Sequence, residues 1–252
     1  MNKELLIKQW KTEENDFKLK GWDFSCIDGR LIGTNPPWEY RTIIKSYLRD
    51  SDILLDMGTG GGEVLLTIEH PYKNIFVTEA YIPNLELCKN KLSPLGITVK
   101  QTFVDDKLPF DDETFDFIIN RHESFNLSEV NRTLKHGGYF FTQQVINRNF
   151  YELAKILNGK VVSDNSNHAI EKYVETLIQM GFQVIIKDEV ILSAKFLDVG
   201  AVIFYAKACP WEILNFSVET HSEKLFKIHH LIEKNGFFQV TGGRFLLAAR
   251  KL

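Results

Sequence analysis

The residues whose types and spacing could do chemistry begin at Asp56-Met57-Gly58-Thr59-Gly60-Gly61-Gly62, directly after the apolar run Ile53-Leu54-Leu55 and directly before Val64-Leu65-Leu66. A strand, a glycine loop and a helix together aim backbone amides at a ligand. Glycine is needed there because a Cβ would block both the tight turn and the close approach. A Walker loop requires Gly-Lys-Ser/Thr, and no such tripeptide follows. The dinucleotide fingerprint would place its third glycine at position 63, which is Glu63. Carboxylates at Asp56 and Glu63 oppose a pyrophosphate but suit a ligand carrying an ammonium and a sulfonium. Some 20 residues further on, about the spacing at which a nucleotide-binding unit places its ribose acid, the run Ile75-Phe76-Val77-Thr78 ends in Glu79. An acid there can accept both hydroxyls of a ribose.

These residues need elements to position them. Apolar runs at 53–55, 75–77, 99–104, 115–119 and 139–145 alternate with helix candidates at 62–69, 84–92 and 128–134. That alternation predicts a parallel sheet with helices on both faces. Before it lies a charged, aromatic-dotted segment, 1–50, ending in a helix over 39–48. Asn35-Pro36-Pro37-Trp38 reads there as a proline pair opening that helix rather than as a base-binding motif. After it come helices at 151–157 and 169–180, a strand at 182–186, and helices at 199–208 and 218–234. The runs 237–240 and 245–249 flank Thr241-Gly242-Gly243, which reads as a strand with a turn or kink that closes the sheet.

Composition narrows the classes. At 44% hydrophobic residues the chain of 252 is not disordered. A net charge of -3 gives no electrostatic reason to expect a nucleic acid partner. No apolar stretch approaches the ~18 residues that span a bilayer, and the charged start lacks the apolar core of a secretory signal. Cys26, Cys88 and Cys209 form no Cys-x-x-Cys pair, and no His-x-x-x-His or facial carboxylate set exists, so no metal is expected. The chain reads as soluble and cytoplasmic, without a membrane partner; its oligomeric state is not written in the sequence.

Two further strings complete a pattern. Val104-Asp105-Asp106-Lys107-Leu108-Pro109-Phe110 runs on to Phe115-Asp116, and Arg132-Thr133-Leu134-Lys135-His136-Gly137-Gly138 follows the run 115–120. With the acid-Gly-x-Gly-x-Gly loop and Glu79, in this order and spacing, the segment 52–145 resembles the class I S-adenosylmethionine-dependent methyltransferases, specifically the type 11 group. The resemblance implies a Rossmann-like α/β fold. Its doubly wound, mostly parallel seven-stranded sheet would carry extra N-terminal and C-terminal helices. It also implies one methyltransferase domain over 1–252, with a helical cap 1–50, a cofactor-binding core 51–147, and a sheet completion 148–252 holding a helical insertion 198–235.

By the same resemblance, Asp56, Gly58, Thr59, Gly60 and Gly62 would pack on the methionine and ribose part of S-adenosylmethionine. Glu79 would hold the ribose hydroxyls, with Ala80 and Tyr81 near the adenine and Asp105 or Asp106 at its amino group. Asn120 would lie beside the methionine end. Methyl transfer needs a base only if the nucleophile must lose a proton; His122 and Glu123 are the candidates, and capping or pairing within the loop is the alternative. Arg121 could hold a substrate carboxylate or pair with Glu123. Trp22, Trp38, Tyr40 and Trp211 would line an apolar pocket, part of an aromatic lid that includes Trp10, Phe24, Phe204, Tyr205 and Phe216. A small-molecule methyl acceptor is expected. RNA methylation, or cofactor binding without transfer, are the other readings.

Overall fold

The computed structural model describes residues 2–19, 23–103, 107–147, 149–159 and 170–252. In chain order it forms α1 (Lys3–Asn15), β1 (Leu31–Gly33), α2 (Tyr40–Tyr47), β2 (Leu54–Met57), α3 (Glu63–Leu66), β3 (Ile75–Glu79), α4 (Ile82–Lys91), β4 (Thr98–Gln101), β5 (Phe115–Arg121), α5 (Leu127–Thr133) and β6 (Leu134–Val145). There follow α6 (Tyr151–Asn158), α7 (Ile170–Gln179), β7 (Phe182–Phe196), α8 (Val199–Ala208), α9 (Val218–Asn235) and β8 (Phe238–Lys251).

All these strands form one sheet in the order β1-β7-β8-β6-β5-β2-β3-β4. From β4 to β6 neighbours are parallel; β8 is antiparallel to β6 and β7, and β1 to β7. β2 is buried throughout, because a parallel strand with helices on both faces has no solvent side. Its Leu54 enters a core with Ile44, Ile119, Phe141 and Leu246, and its Leu55 enters the opposite core with Phe115, Ile118, Phe140 and Phe245. From β2 the chain crosses one way to β3 and later returns to the other side as β5. The crevice between the carboxyl ends of β2 and β5 is therefore the switch point of the sheet, where open α/β folds bind ligands.

Three expectations change. The sheet has eight strands rather than seven, and the segment 1–50 is not wholly helical, because Leu31, Ile32 and Gly33 pair with Phe196, Lys195 and Ala194. The reason lies in β7, which runs on to Phe196 instead of stopping near 186. Its charged middle, Lys187-Asp188-Glu189, looks like a break in an apolar run but sits exposed on an edge, where charge discourages unwanted pairing. β1 covers the final three residues of that edge. The third change is that Thr241-Gly242-Gly243 neither turns nor kinks. β8 passes straight through, with Ser193, Leu192 and Ile191 opposite those residues. The glycines answer to crowding: a Cβ on Gly243 would lie 2.6 Å from the Val190 carbonyl oxygen and 2.5 Å from Ile146 Cδ1.

Because β6 ends at Val145, opposite Arg244, the stretch 238–243 of β8 and its partners on β7 project past the carboxyl edge of the parallel strands. On this ribbon α1, α6, α8 and α9 build a third core containing Leu6, Trp10, Leu153, Phe196, Ile203, Phe204, Leu225 and Val240. Arg30 ties its chain segments together. Its guanidinium lies 2.7 Å from Asp198 Oδ1 and 3.1 Å from Glu13 Oε1, while Asp198 also caps α8 through the Ala201 N–H.

Gly243→Ala should lower stability by about 1–3 kcal/mol through overpacking against a backbone oxygen that cannot move aside. A denaturant midpoint unchanged from the parent protein would show that the ribbon has slack.

Candidate active site

The glycine loop leaves β2 and is shaped by a buried carboxylate. Gly58 and Thr59 donate to the Thr78 carbonyl at 3.1 and 3.2 Å, and Gly60 N–H donates to Glu79 Oε2 at 2.9 Å. The other oxygen of Glu79 accepts from the Ala80 and Tyr81 N–H groups at 2.9 Å each. Gly58, Gly60 and Gly62 all have positive φ, at 68°, 63° and 74°, which L side chains adopt at a cost. At Gly58 space is also closed: a Cβ would meet Glu123 Cγ at 2.2 Å, so the Glu123 stem lies across the loop. The Glu123 carboxylate accepts from the Ser124 N–H at 3.0 Å.

A cavity of about 400 Å³ opens at the switch point, lined by Asp23, Tyr40, Asp56, Gly58, Thr59, Gly60, Glu63, Val64, Leu65, Leu87, Ile119 and Arg121. Asp56 is buried there, and burial pushes its carboxyl up to about 6; Thr59 and Arg121 hold it back, and Glu79 adds to the rise. Beyond Glu79, Tyr81 and Ile82 are about 60% exposed and Phe103, just past β4, 77%, an apolar shelf at the outer end of the loop.

Asn120 is completely buried and its side chain is committed. Its Oδ1 accepts from Thr142 Oγ1 at 2.9 Å and from Gln144 Nε2 at 2.5 Å, and its Nδ2 donates to the Met57 carbonyl at 3.4 Å. It locks the ends of β2, β5 and β6 together, and its carbonyl accepts from the Tyr40 hydroxyl at 3.0 Å. Trp38 reaches the same end, donating to Gln143 Oε1 at 2.8 Å. The proline pair precedes the α2 N-cap, Glu39, as expected.

His122 follows β5 with a φ of 61°, a strained backbone for a branched side chain. Its Nε2 lies 3.4 Å from Gln143 Nε2, and its buried Nδ1 has no partner. Burial holds the imidazole well below its usual range, and Arg244 and Arg121 push the same way. It is a neutral imidazole with hydrogen-bonding capacity to spare, a rare arrangement outside functional sites.

Sequence reasoning thus brings Asp56, Gly58, Thr59, Gly60, Tyr40 and Arg121 to one cavity, with Glu79 and Glu123 bracing the loop that lines it. Trp22, Asp105 and Asp106 lie outside the described residues. Trp211 lies between α8 and α9, 54% exposed, and is not among the cavity's lining residues. The anticipated aromatic lid is mostly core: Trp10 packs on Phe226, Phe24 on Phe204, and Tyr205 on Phe150. Asp23, Gln143 and Arg244 were missed, because only strand register and the path of the N-terminal segment bring them to this end. Among the described residues no group of three or more His, Cys, Asp or Glu could hold a metal, and no helix is long and apolar enough to cross a membrane.

Residues 55–142, which hold the loop, the buried acid and β5, match the family model of a methyltransferase domain. This segment is thus similar to the methyltransferase domains of the type 11 group. MJ1252 of Methanocaldococcus jannaschii is 31% identical over 107 residues, covering 40% of this chain and 39% of that protein. The chain thus spans about two-fifths of the length of that curated relative. A Deinococcus radiodurans R1 protein described as functionally unknown superposes with a TM-score of 0.59 at 11% identity, covering 99% of this chain and 98% of its own. For YcgJ of Bacillus subtilis the TM-score is 0.57 at 15% identity, covering 84% and 97%. For BH2331 of Bacillus halodurans C-125, a candidate methyltransferase, it is 0.55 at 20%, covering 84% and 96%. At these identities the likeness concerns the fold.

The cofactor of the methyltransferase domain is S-adenosylmethionine, and the residues suit it. The cavity places Asp23, Asp56 and Glu63 around a space between glycines, a surface for a ligand with cationic groups. Asp56 also sets a pH dependence. Its folded carboxyl titrates near 6 against an ordinary 3.8, so the folded state keeps a proton that the unfolded chain releases. Stability then falls as pH rises from about 4 to about 6 and levels off above. Asp56→Asn should remove that decline and stabilise the protein at pH 7 by up to about 3 kcal/mol. Burial pushes Glu212 up to about 6 too, and its smaller share should persist. Thermal midpoints from pH 4 to 8 that run parallel for the two proteins would contradict the assignment.

Proposed function

We propose that the protein transfers a methyl group from S-adenosylmethionine to a small organic acceptor. The observation that carries this reading is the glycine loop held by Glu79 beside a cavity at the switch point, within a segment similar to methyltransferase domains. When bound, S-adenosylmethionine supplies an electrophilic methyl on sulfur, open to in-line displacement by a nucleophile. Glu79 fixes the loop through Gly60, and with three N–H groups on its oxygens it has one acceptor site left to offer a ribose hydroxyl. Asp56 and Glu63 neutralise cationic groups along the loop, and Tyr81, Ile82 and Phe103 offer the adenine an apolar shelf. Positioning is the main contribution of such a site, since the methyl is already activated.

With Nε2 facing the Gln143 amide N–H, the neutral His122 ring carries its proton on the partnerless Nδ1, which is free to donate a hydrogen bond. A small acceptor is supported by the size of the cavity and by its wall, to which Asp23 and Tyr40 of the N-terminal segment contribute.

Calorimetric titration with S-adenosylmethionine, S-adenosylhomocysteine and NAD tests the reading. The first two should bind in the micromolar range and NAD should not. Glu79→Ala should weaken both by about ten- to a hundred-fold, the loss of one charge-assisted hydrogen bond together with the Gly60 anchor of the loop. Binding of NAD alone, or of none of the three, would sink it. A cationic ligand prefers ionised Asp56, so S-adenosylmethionine affinity should rise with pH through about 6. Asp56→Asn should show weaker binding with little pH dependence between 5 and 7; an unchanged profile would exclude Asp56 from the contact.

A further inference from the structure

Arg244 lies on β8 opposite Val145, at the last register position that β6 shares with β8. Arg121 pairs with Gln143, and Gln143 pairs with Leu246, two residues from Arg244. Paired residues and residues two apart share a sheet face. Arg121, Gln143 and Arg244 therefore stand on the same face, past the point where the core of Ile119, Phe141 and Leu246 ends. Strand spacing and rise put the two arginine Cα atoms about 12 Å apart, a gap that two guanidinium side chains can close on one small group.

Among the described residues neither arginine closes a salt bridge, although Asp56 lies within electrostatic reach of Arg121 and Glu212 of Arg244. Arg121 lines the cavity. Arg244 Nη1 donates to the Gly243 carbonyl at 2.7 Å and to Asn149 Oδ1 at 3.3 Å, both neutral acceptors. Its Nε and Nη2 are left over. Its placement is actively maintained: Glu212 Oε2 accepts from the Tyr205 hydroxyl at 2.7 Å, and that hydroxyl accepts from Asn149 Nδ2 at 3.2 Å. This relay turns the Asn149 oxygen toward Arg244. Burial, and after it the neighbouring Arg121, depress the Arg244 guanidinium, while Tyr205 and the Glu212 carboxylate behind it offset part of that shift. A half-buried cation facing a second cation is costly unless something anionic joins them.

Resting on the methyltransferase reading, we propose that the acceptor carries an oxyanion, a carboxylate or phosphate, clasped between Arg121 and Arg244 next to His122. Arg244 offers the free edge of its fork, and a planar fork matches an oxyanion in two parallel bonds. The clasp orients the acceptor; it takes no part in the bond changes. Glu212, Tyr205 and Asn149 are positioning residues that act through Arg244.

The test is titration of the protein, free and saturated with S-adenosylhomocysteine, with benzoate, phenyl phosphate and benzamide. Benzoate or phenyl phosphate should bind at least ten-fold tighter than benzamide, and the preferred one identifies the oxyanion. Arg244→Gln and Arg121→Gln should each lower that affinity ten-fold or more. Arg244→Lys should recover part of it, as a charge without a fork. Should Arg244→Gln fold poorly, the exposed Arg121→Gln decides alone. Equal affinity for benzoate, phenyl phosphate and benzamide, no oxyanion binding in either form, or undiminished binding in the variants would overturn the proposal. S-adenosylhomocysteine is titrated in parallel. Its failure to bind the parent protein refutes the methyltransferase reading, while the oxyanion titrations of the free protein still decide the clasp.

Discussion

A single carboxylate organises this protein. Glu79 ends β3 buried and receives three backbone N–H groups, one of them from Gly60 in the loop that leaves the neighbouring β2. A buried carboxylate is tolerable only when its lone pairs are filled, so the glycine loop cannot relax without stranding a charge. That coupling explains why three residues of the loop hold left-handed backbone angles. It also explains why the space above the loop is a cavity rather than packed core.

From this point the architecture works outward by hydrogen bonds that fasten strand ends. Asn120 joins β2, β5 and β6 in the interior, and its carbonyl receives Tyr40 from the N-terminal segment. Through Tyr40 and Trp38 that segment becomes the wall of the site, and Arg30 anchors its earlier part to α8. The residues that line the cavity are thus drawn from 23–40, 56–65, 87 and 119–121, brought together at one edge of one sheet.

How much of this was legible depends on the range of the interactions involved. The loop, Glu79 and the alternating core were readable because strand, turn and helix signals are local and the chemistry of each residue shows in its type. The length of β7 was not readable: Lys187-Asp188-Glu189 breaks an apolar run, and only an edge position makes those charges fitting. Gly242 and Gly243 gave a turn signal, whereas their true cause is the closeness of Val190, Ile146 and Phe150. Arg244 could not be found for the same reason. Its partners are Val145 in register and Asn149 in space, and both follow from long-range pairing that no local pattern encodes. The aromatics meant for a lid fill a core instead, since an amphipathic helix shows its apolar stripe without showing what will cover it.

The projecting part of β7 and β8 has one more consequence. The helices on this ribbon rest on strands that continue into the middle of the sheet, interrupted by one bulge between Val184 and Ile186. Ribbon and sheet are therefore mechanically joined through main-chain pairs, whereas the N-terminal wall of the cavity is fastened to the strand ends by the Trp38 indole and the Tyr40 hydroxyl.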